Sequence, residues 1–284
     1  MDKLEDASAI EVFIVISIII LFTGTFLLLM FKLIRFMFEA FVIIYFDKNP
    51  YRLQIKNPKK LSSSERKILE DIVVFYQNLP FKSKEYFESR VANFIENKKF
   101  EGRGGLEITP EMKVLIAAGA IKVTFGIKDY LYEHFHTIII YPKAYYSNIT
   151  KQYHAGEVNP RGVVVFSWED VLKGYANPYD NLNLVIHEFA HALYLCFKSS
   201  RLKDLRLNIH YPEWKKEKET KFFKMRNSDE SYLRRYAATN LMEFFAVAVE
   251  HFFEAPNSLH QELPELYKSL VKFLGQDPRL VISR

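Results

Sequence analysis

Cysteine is all but absent from this chain: Cys196 is the single one among 284 residues. One thiol excludes an intramolecular disulfide framework and any cysteine-based zinc cluster. An excess of one charge is missing too. The 39 Lys+Arg against 34 Asp+Glu leave a formal net charge of +5, too mild at this length to argue for a nucleic-acid partner. There is no internal repeat and no low-complexity tract. Gly102, Gly104 and Gly105 make no phosphate-binding loop, because no Lys-Ser/Thr completes the pattern, and they read as a turn. What is there, 49% hydrophobic and 26% charged residues, excludes a wholly disordered chain and fits one large domain or two small ones.

The chain opens with an uncharged apolar run, Val12 to Phe31. As a helix it would be about 30 Å long, the thickness of a bilayer core, and it has no polar face to turn towards water. A cleaved signal peptide fits poorly: Asp2, Glu5, Asp6 and Glu11 make the leading flank acidic, and no small-x-small cleavage site follows. Lys3 is the only basic residue before the run, whereas Lys32, Arg35, Lys48, Arg52, Lys56, Lys59 and Lys60 come after it. Basic flanks stay in the cytoplasm, so the long C-terminal part is expected there. Phe36 to Phe46 is apolar again but too short to span, and is expected as a separate interfacial or domain-packed helix.

Asn-Pro at 49–50 and at 57–58 marks a polar linker. The expected organisation is therefore an anchor with its juxtamembrane segment over 1–50 and a domain over 51–284, helical over about 61–126 and bearing the site over about 127–284. Ser62-x-x-Glu65 reads as a capping box opening a helix to about Gln77. Phe87, Val91, Phe94 and Ile95 stripe a second helix. Thr109-Pro110 caps a third, whose Ala117-Ala118-Gly119-Ala120 run permits close packing. Thr137 to Tyr141 and Val163 to Trp168 read as strands. Residues 201–235, with eleven Lys/Arg and six Asp/Glu, read as a solvated excursion. Helices around a small sheet make an α+β domain.

The central feature is His187-Glu188-Phe189-Ala190-His191, an HExxH inside an apolar helix. Histidines four apart share one helical face and can reach one metal ion, while Glu188, about 100° round, can hold a water beside it. A catalytic zinc needs a third protein ligand and an open position. Position 197 is Phe, so a third histidine at HExxHxxGxxH spacing is absent, and Cys196 faces away from the motif. Glu243, near the start of a later apolar helix, is the best candidate, with a capping role in Asn240-x-x-Glu243 as the lesser alternative. Glu250, on nearly the same face, is the fallback ligand or an outer partner of the metal site.

Four segments in order, LPFKSKEYFESRVANFIENKKFEGRGGLEITPEMKVLIAAGA, VVVFSWEDVL, NLVIHEFAHAL and YAATNLMEFFAVAVEHFF, resemble the MtfA-like zinc peptidases, a bacterial family, over about residues 70–256. The resemblance implies a zincin domain like the catalytic domain of anthrax lethal factor, in which Val163 to Ser167, ahead of the HExxH helix, is expected as an edge strand that pairs with an extended peptide. It makes His187, His191 and Glu243 the ligands of one zinc ion per chain, Glu188 the general base and Tyr236 a hydroxyl assisting the transition state. It further implies hydrolysis of a peptide or protein substrate. Taken with the apolar run, the expected place is the bacterial inner membrane, single-pass, with the site in the cytoplasm. The alternative is a membrane-tethered regulator that binds a cytoplasmic protein without catalysis. After the motif the chain departs from the family: Ala192-Leu193-Tyr194 and a basic stretch stand where many members have Lys-Leu-Asp and an acidic, glycine-rich loop, so substrate preference is not carried over.

Overall fold

Helix α1 (Asp2–Phe46) runs unbroken through both apolar segments. The separate helix expected over Phe36 to Phe46 is therefore one with the span. Lys32, Leu33, Ile34 and Arg35 join the two, and none of these residues breaks a helix. Within α1, Glu11–Phe46 is long and apolar enough to cross a membrane, its most apolar 18-residue window having mean hydropathy 2.9. Its Thr25 hydroxyl donates back to Leu21 O at 2.7 Å, which leaves no side-chain donor bare at that level. The computed structural model describes residues 2–47, 58–147, 151–199, 204–227 and 231–282; most of the expected linker lies outside them. The chain divides into two compact units, Met1–Pro50 and Tyr51–Arg284.

The second unit is mixed α+β. Its first helix, α2 (Ser63–Ile72), starts at the capping box, with Ser62 N donating to Glu65 Oε2 at 2.8 Å and Glu65 N donating to Ser62 Oγ at 3.3 Å. It ends earlier than expected, at an extended Val73, before a single turn α3 (Val74–Gln77). Then come α4 (Phe81–Asn97), β1 (Lys99–Gly102) and α5 (Pro110–Thr124), the last capped by Thr109. Strand β2 (Thr137–Tyr141) is followed by β3 (Tyr145–Ser147), β4 (Gln152–His154), β5 (Gly156–Asn159) and β6 (Val163–Ser167). Helices α6 (Trp168–Ala176), α7 (Leu184–Lys198), α8 (Leu205–Arg226), α9 (Leu241–Glu254), α10 (Pro256–Glu262), α11 (Pro264–Leu274) and α12 (Arg279–Ile282) complete it.

The main sheet has the order β1-β2-β6-β5, with β1, β2 and β6 parallel and β5 antiparallel to β6. This corrects one expectation. Val163–Ser167 is a central strand, paired to β2 on one side and β5 on the other, so it has no free edge to offer a peptide. The edge beyond it is β5, which packs against α7. β3 and β4 form a separate hairpin.

A second correction concerns residues 201–235. Most of the stretch is the 22-residue helix α8, which buries Leu207, Trp214, Phe222 and Met225. Its charges lie mainly on the outer face, while Trp214 stacks with Phe273 of α11 and meets Phe245 of α9. The close packing expected of the 117–120 run is there. A Cβ at Gly119 would lie 2.3 Å from Val185 Cγ1, so only glycine lets α5 approach α7 this far.

Candidate metal centre

Asn183 stands directly before Leu184-Val185-Ile186 and caps α7, its Oδ1 accepting from Ile186 N at 3.1 Å. From there the 3.6-residue repeat turns Val185, Phe189 and Cys196 into the core. His187 and His191 fall on the face towards α9, their rings 4.6 Å apart. Helix α9 is capped by Asn240, whose Oδ1 accepts from Met242 N at 2.9 Å and from Glu243 N at 3.0 Å. The cap is thus Asn240's own. The Glu243 carboxylate turns instead to the histidines, with Oε2 at 3.2 Å from His187 Nε2 and 3.3 Å from His191 Nε2.

Two imidazole Nε2 atoms stand 3.0 Å apart with that oxygen beside both. One potential ligand atom from each of His187, His191 and Glu243 lies within 4.8 Å of the others, a group that could hold a metal ion. Nitrogen, nitrogen and carboxylate oxygen suit a borderline divalent metal, and lone pairs converging so closely need a cation or shared protons between them. Without metal, burial works to lower the His187 pKa, but its bonds to Glu243 and Glu250 prevail and lift it to about 10. Burial likewise works to raise Glu243, yet both histidines hold it down at about 2.

Glu250 stands behind His187 rather than in the group of three. Its Oε2 lies 2.9 Å from His187 Nδ1, its Oε1 accepts from Asn183 N at 3.0 Å, and Arg234 pairs with it. A carboxylate on Nδ1 fixes the ring and leaves Nε2 free for a metal. Asn183 Nδ2 also donates to Glu254 Oε1 at 2.9 Å, so the cap of α7 ties the metal helix to α9 twice. Sequence reasoning missed Asn183, whose signal was an Asn immediately before an apolar run, and Arg234, which had no signal at all.

Glu188 is 5% exposed, and burial raises its carboxyl pKa against the pull of His187 and His191. Gly156 of β5 lies over it: a Cβ there would come within 2.5 Å of Glu188 Oε1, so a side chain at 156 would push the carboxylate aside. Tyr236 sits in a 3-10 turn, Arg235–Ala238, with its ring 6.1 Å from that of His187 and half of it exposed. Burial and the neighbouring Glu243 and Glu188 push its phenol up to about 12, so it stays a proton donor at neutral pH. Cys196 is buried in the core, as its position half a turn away requires.

Comparison with known proteins agrees with this geometry. An uncharacterized protein of Synechocystis sp. is 28% identical over 228 residues, covering 74% of this chain and 83% of that one. Proteins named Mlc titration factor A, from Yersinia pestis and Yersinia pseudotuberculosis, are 24% identical over 214 residues, covering 69% of this chain and 78% of theirs. The family model described as glucose-regulated metallo-peptidase M90 matches residues 48–274, a stretch that takes in α7, α9 and the strands between them and α5. On that match the chain belongs to the M90 metallo-peptidase family.

Proposed function

We propose that the protein is a membrane-anchored zinc peptidase of zincin type, with His187, His191 and Glu243 holding the metal. The observation that carries this reading is the buried Glu188 beside the three converging ligand atoms, since a purely structural metal site has no use for a base. Zinc held there would make an adjacent water acidic and polarise the scissile carbonyl. Glu188 takes the proton from the attacking water and returns it to the leaving amine; burial already favours its protonated form. Tyr236 donates to the oxygen on which negative charge develops. Arg234 and Glu250 keep His187 in the tautomer that ligation needs. The test is zinc per chain and cleavage of a set of internally quenched peptides by the purified full-length protein. About one zinc per chain is expected, with cleavage that a chelator abolishes and zinc restores. Stable protein with no zinc, or cleavage indifferent to chelation, would overturn the reading.

A second reading is favoured by the name of the relatives, which speaks of titrating a factor called Mlc: a tethered regulator that binds a cytoplasmic protein. Partner binding that survives chelation, in a protein that cuts no peptide, would select it.

The anchor is assigned to α1, with the second unit on the cytoplasmic side, on the strength of the basic residues that follow Phe31. Protease added to intact cells should spare the region after Lys32 and digest it only once the membrane is opened. Digestion of the α7 region from outside would reverse the orientation.

A further inference from the structure

His187, His191, Tyr194 and Lys198 lie zero, four, seven and eleven residues along α7. At 100° per residue they fall within about 60° of one another, a single stripe along the helix. Tyr194 is partly exposed and Lys198 exposed; the stripe climbs from the buried metal centre towards solvent. Helix α8 crosses the far end, where Tyr211 packs on Phe197 at 4.6 Å between ring centroids. There Lys218 stands 4.9 Å from the centre of the Tyr194 ring and Lys198 stands 5.7 Å from it.

Lys218 is 1% exposed, yet among the described residues no carboxylate comes within ion-pair distance of Lys198, Lys215 or Lys218. A buried ammonium is expensive unless paired, and a ring face offsets only part of the cost. Its charged neighbours make this worse. Burial, with Lys198 and Lys215 nearby, lowers the Lys218 pKa to about 8, and only Glu219 opposes them. The Tyr194 phenol is raised by its own burial and stays protonated, a third donor beside the two ammoniums. Two ammoniums and a phenol gathered round one ring are well suited to an anion.

From this we infer that Tyr194, Lys198 and Lys218 form a carboxylate-binding subsite on the stripe of α7 that leads away from the metal centre. It rests on the peptidase reading above and gives that site a substrate class: peptides carrying an Asp or Glu side chain, or a free C-terminal carboxylate, near the scissile bond. The distance fits. Seven residues of helix from His191 to Lys198 rise about 10 Å, and helical side chains lean back towards the N-terminus. At about 3.3 Å per residue of extended peptide, the carboxylate belongs two or three residues from the bond that is cut. The subsite also gives the basic stretch a role, since folding it as α8 is what delivers Lys218 to the face of α7.

The experiment uses the full-length chain in detergent with Glu188→Gln, so that peptide is bound without being consumed. Dissociation constants are measured by fluorescence anisotropy for labelled peptides with Glu or Gln scanned through the three positions on each side of a mapped cleavage site. A parallel pair with free and amidated C-termini separates a side-chain carboxylate from a terminal one. At one position, or at the terminus, the carboxylate peptide should bind about tenfold tighter, the scale of one charge-assisted hydrogen bond, and lose that margin as salt is raised. Lys198→Ala and Lys218→Met, each introduced separately, should erase the margin between the carboxylate peptide and its Gln or amidated counterpart. Circular dichroism checks that both variants fold; Lys198 is exposed, so its variant keeps the test decisive.

No carboxylate preference at any position, or a preference that survives both substitutions, overturns the subsite. Failure of the peptidase reading looks different: the unsubstituted, zinc-loaded chain would cut none of the peptides while its carboxylate preference in binding persisted. Should no cleavage site be mappable, the same scan is run through every position of one peptide, and the same outcomes decide.

Discussion

Replacing Glu188 with Gln is expected to leave zinc near one per chain while peptide turnover falls by about 10²–10⁴-fold, the usual contribution of a general base. The amide keeps the shape of the carboxylate and belongs to none of the three converging ligand atoms. It also keeps the contact beneath Gly156, where there is no room for a bulkier group. What it loses is the ability to accept a proton and give it back. Metal content by atomic emission and turnover of a quenched peptide, measured on the same preparation, check this. Turnover that persists at the level of the unsubstituted protein would remove Glu188 from the mechanism. Lost zinc would instead mean that its carboxylate helps to hold the metal.

Glu243→Ala should be more severe, because it removes the only carboxylate in the group of three. His187 and His191 remain as an incomplete pair, so zinc occupancy and cleavage should both fall to background. Glu250→Ala is the informative companion. Its carboxylate meets His187 at Nδ1, on the side away from Glu243, and losing such an outer partner costs about 10–100-fold in metal affinity or activity. Zinc titration of folded variants, with folding checked by circular dichroism, separates the two. If Glu243→Ala holds zinc normally while Glu250→Ala loses it, the two glutamates exchange roles.

How legible these residues were depended on how local their evidence is. His187 and His191 could be paired from spacing alone, since four residues on a helix is a fixed distance. Glu243 could not be settled in the same way: Asn240-x-x-Glu243 is a cap signature as well as a ligand position. The choice appears only where α9 lies against α7 and Asn240 does the capping. Tyr236 was carried by family resemblance, and half of its surface is still open in the folded chain. Short polar strands such as β4, and Gly156 over Glu188, left no periodic trace, because three or four residues cannot display a repeat.

The expectation for residues 201–235 failed for an instructive reason. Eleven basic and six acidic residues read as a solvated excursion, yet a helix needs only one apolar stripe to bury, and Leu207, Trp214, Phe222 and Met225 supply it. The apolar run at the N-terminus was legible in kind, but a separate helix was expected over Phe36 to Phe46, and α1 instead runs unbroken to Phe46. Lys32 and Arg35 change the polarity of a helix without stopping it.

Composition, spacing and caps were enough to define an α+β chain with a long apolar helix, no disulfide framework and two histidines on one helical face, because each of these follows from neighbours in the sequence. The carboxylate that joins the histidines, the glutamate and arginine that hold His187, the glycine over Glu188, the central place of β6 and the buried lysine over Tyr194 all depend on segments brought together from distant parts of the chain. Such pairings are decided by which apolar faces bury against each other, and side chains far apart in sequence meet only after that packing is complete.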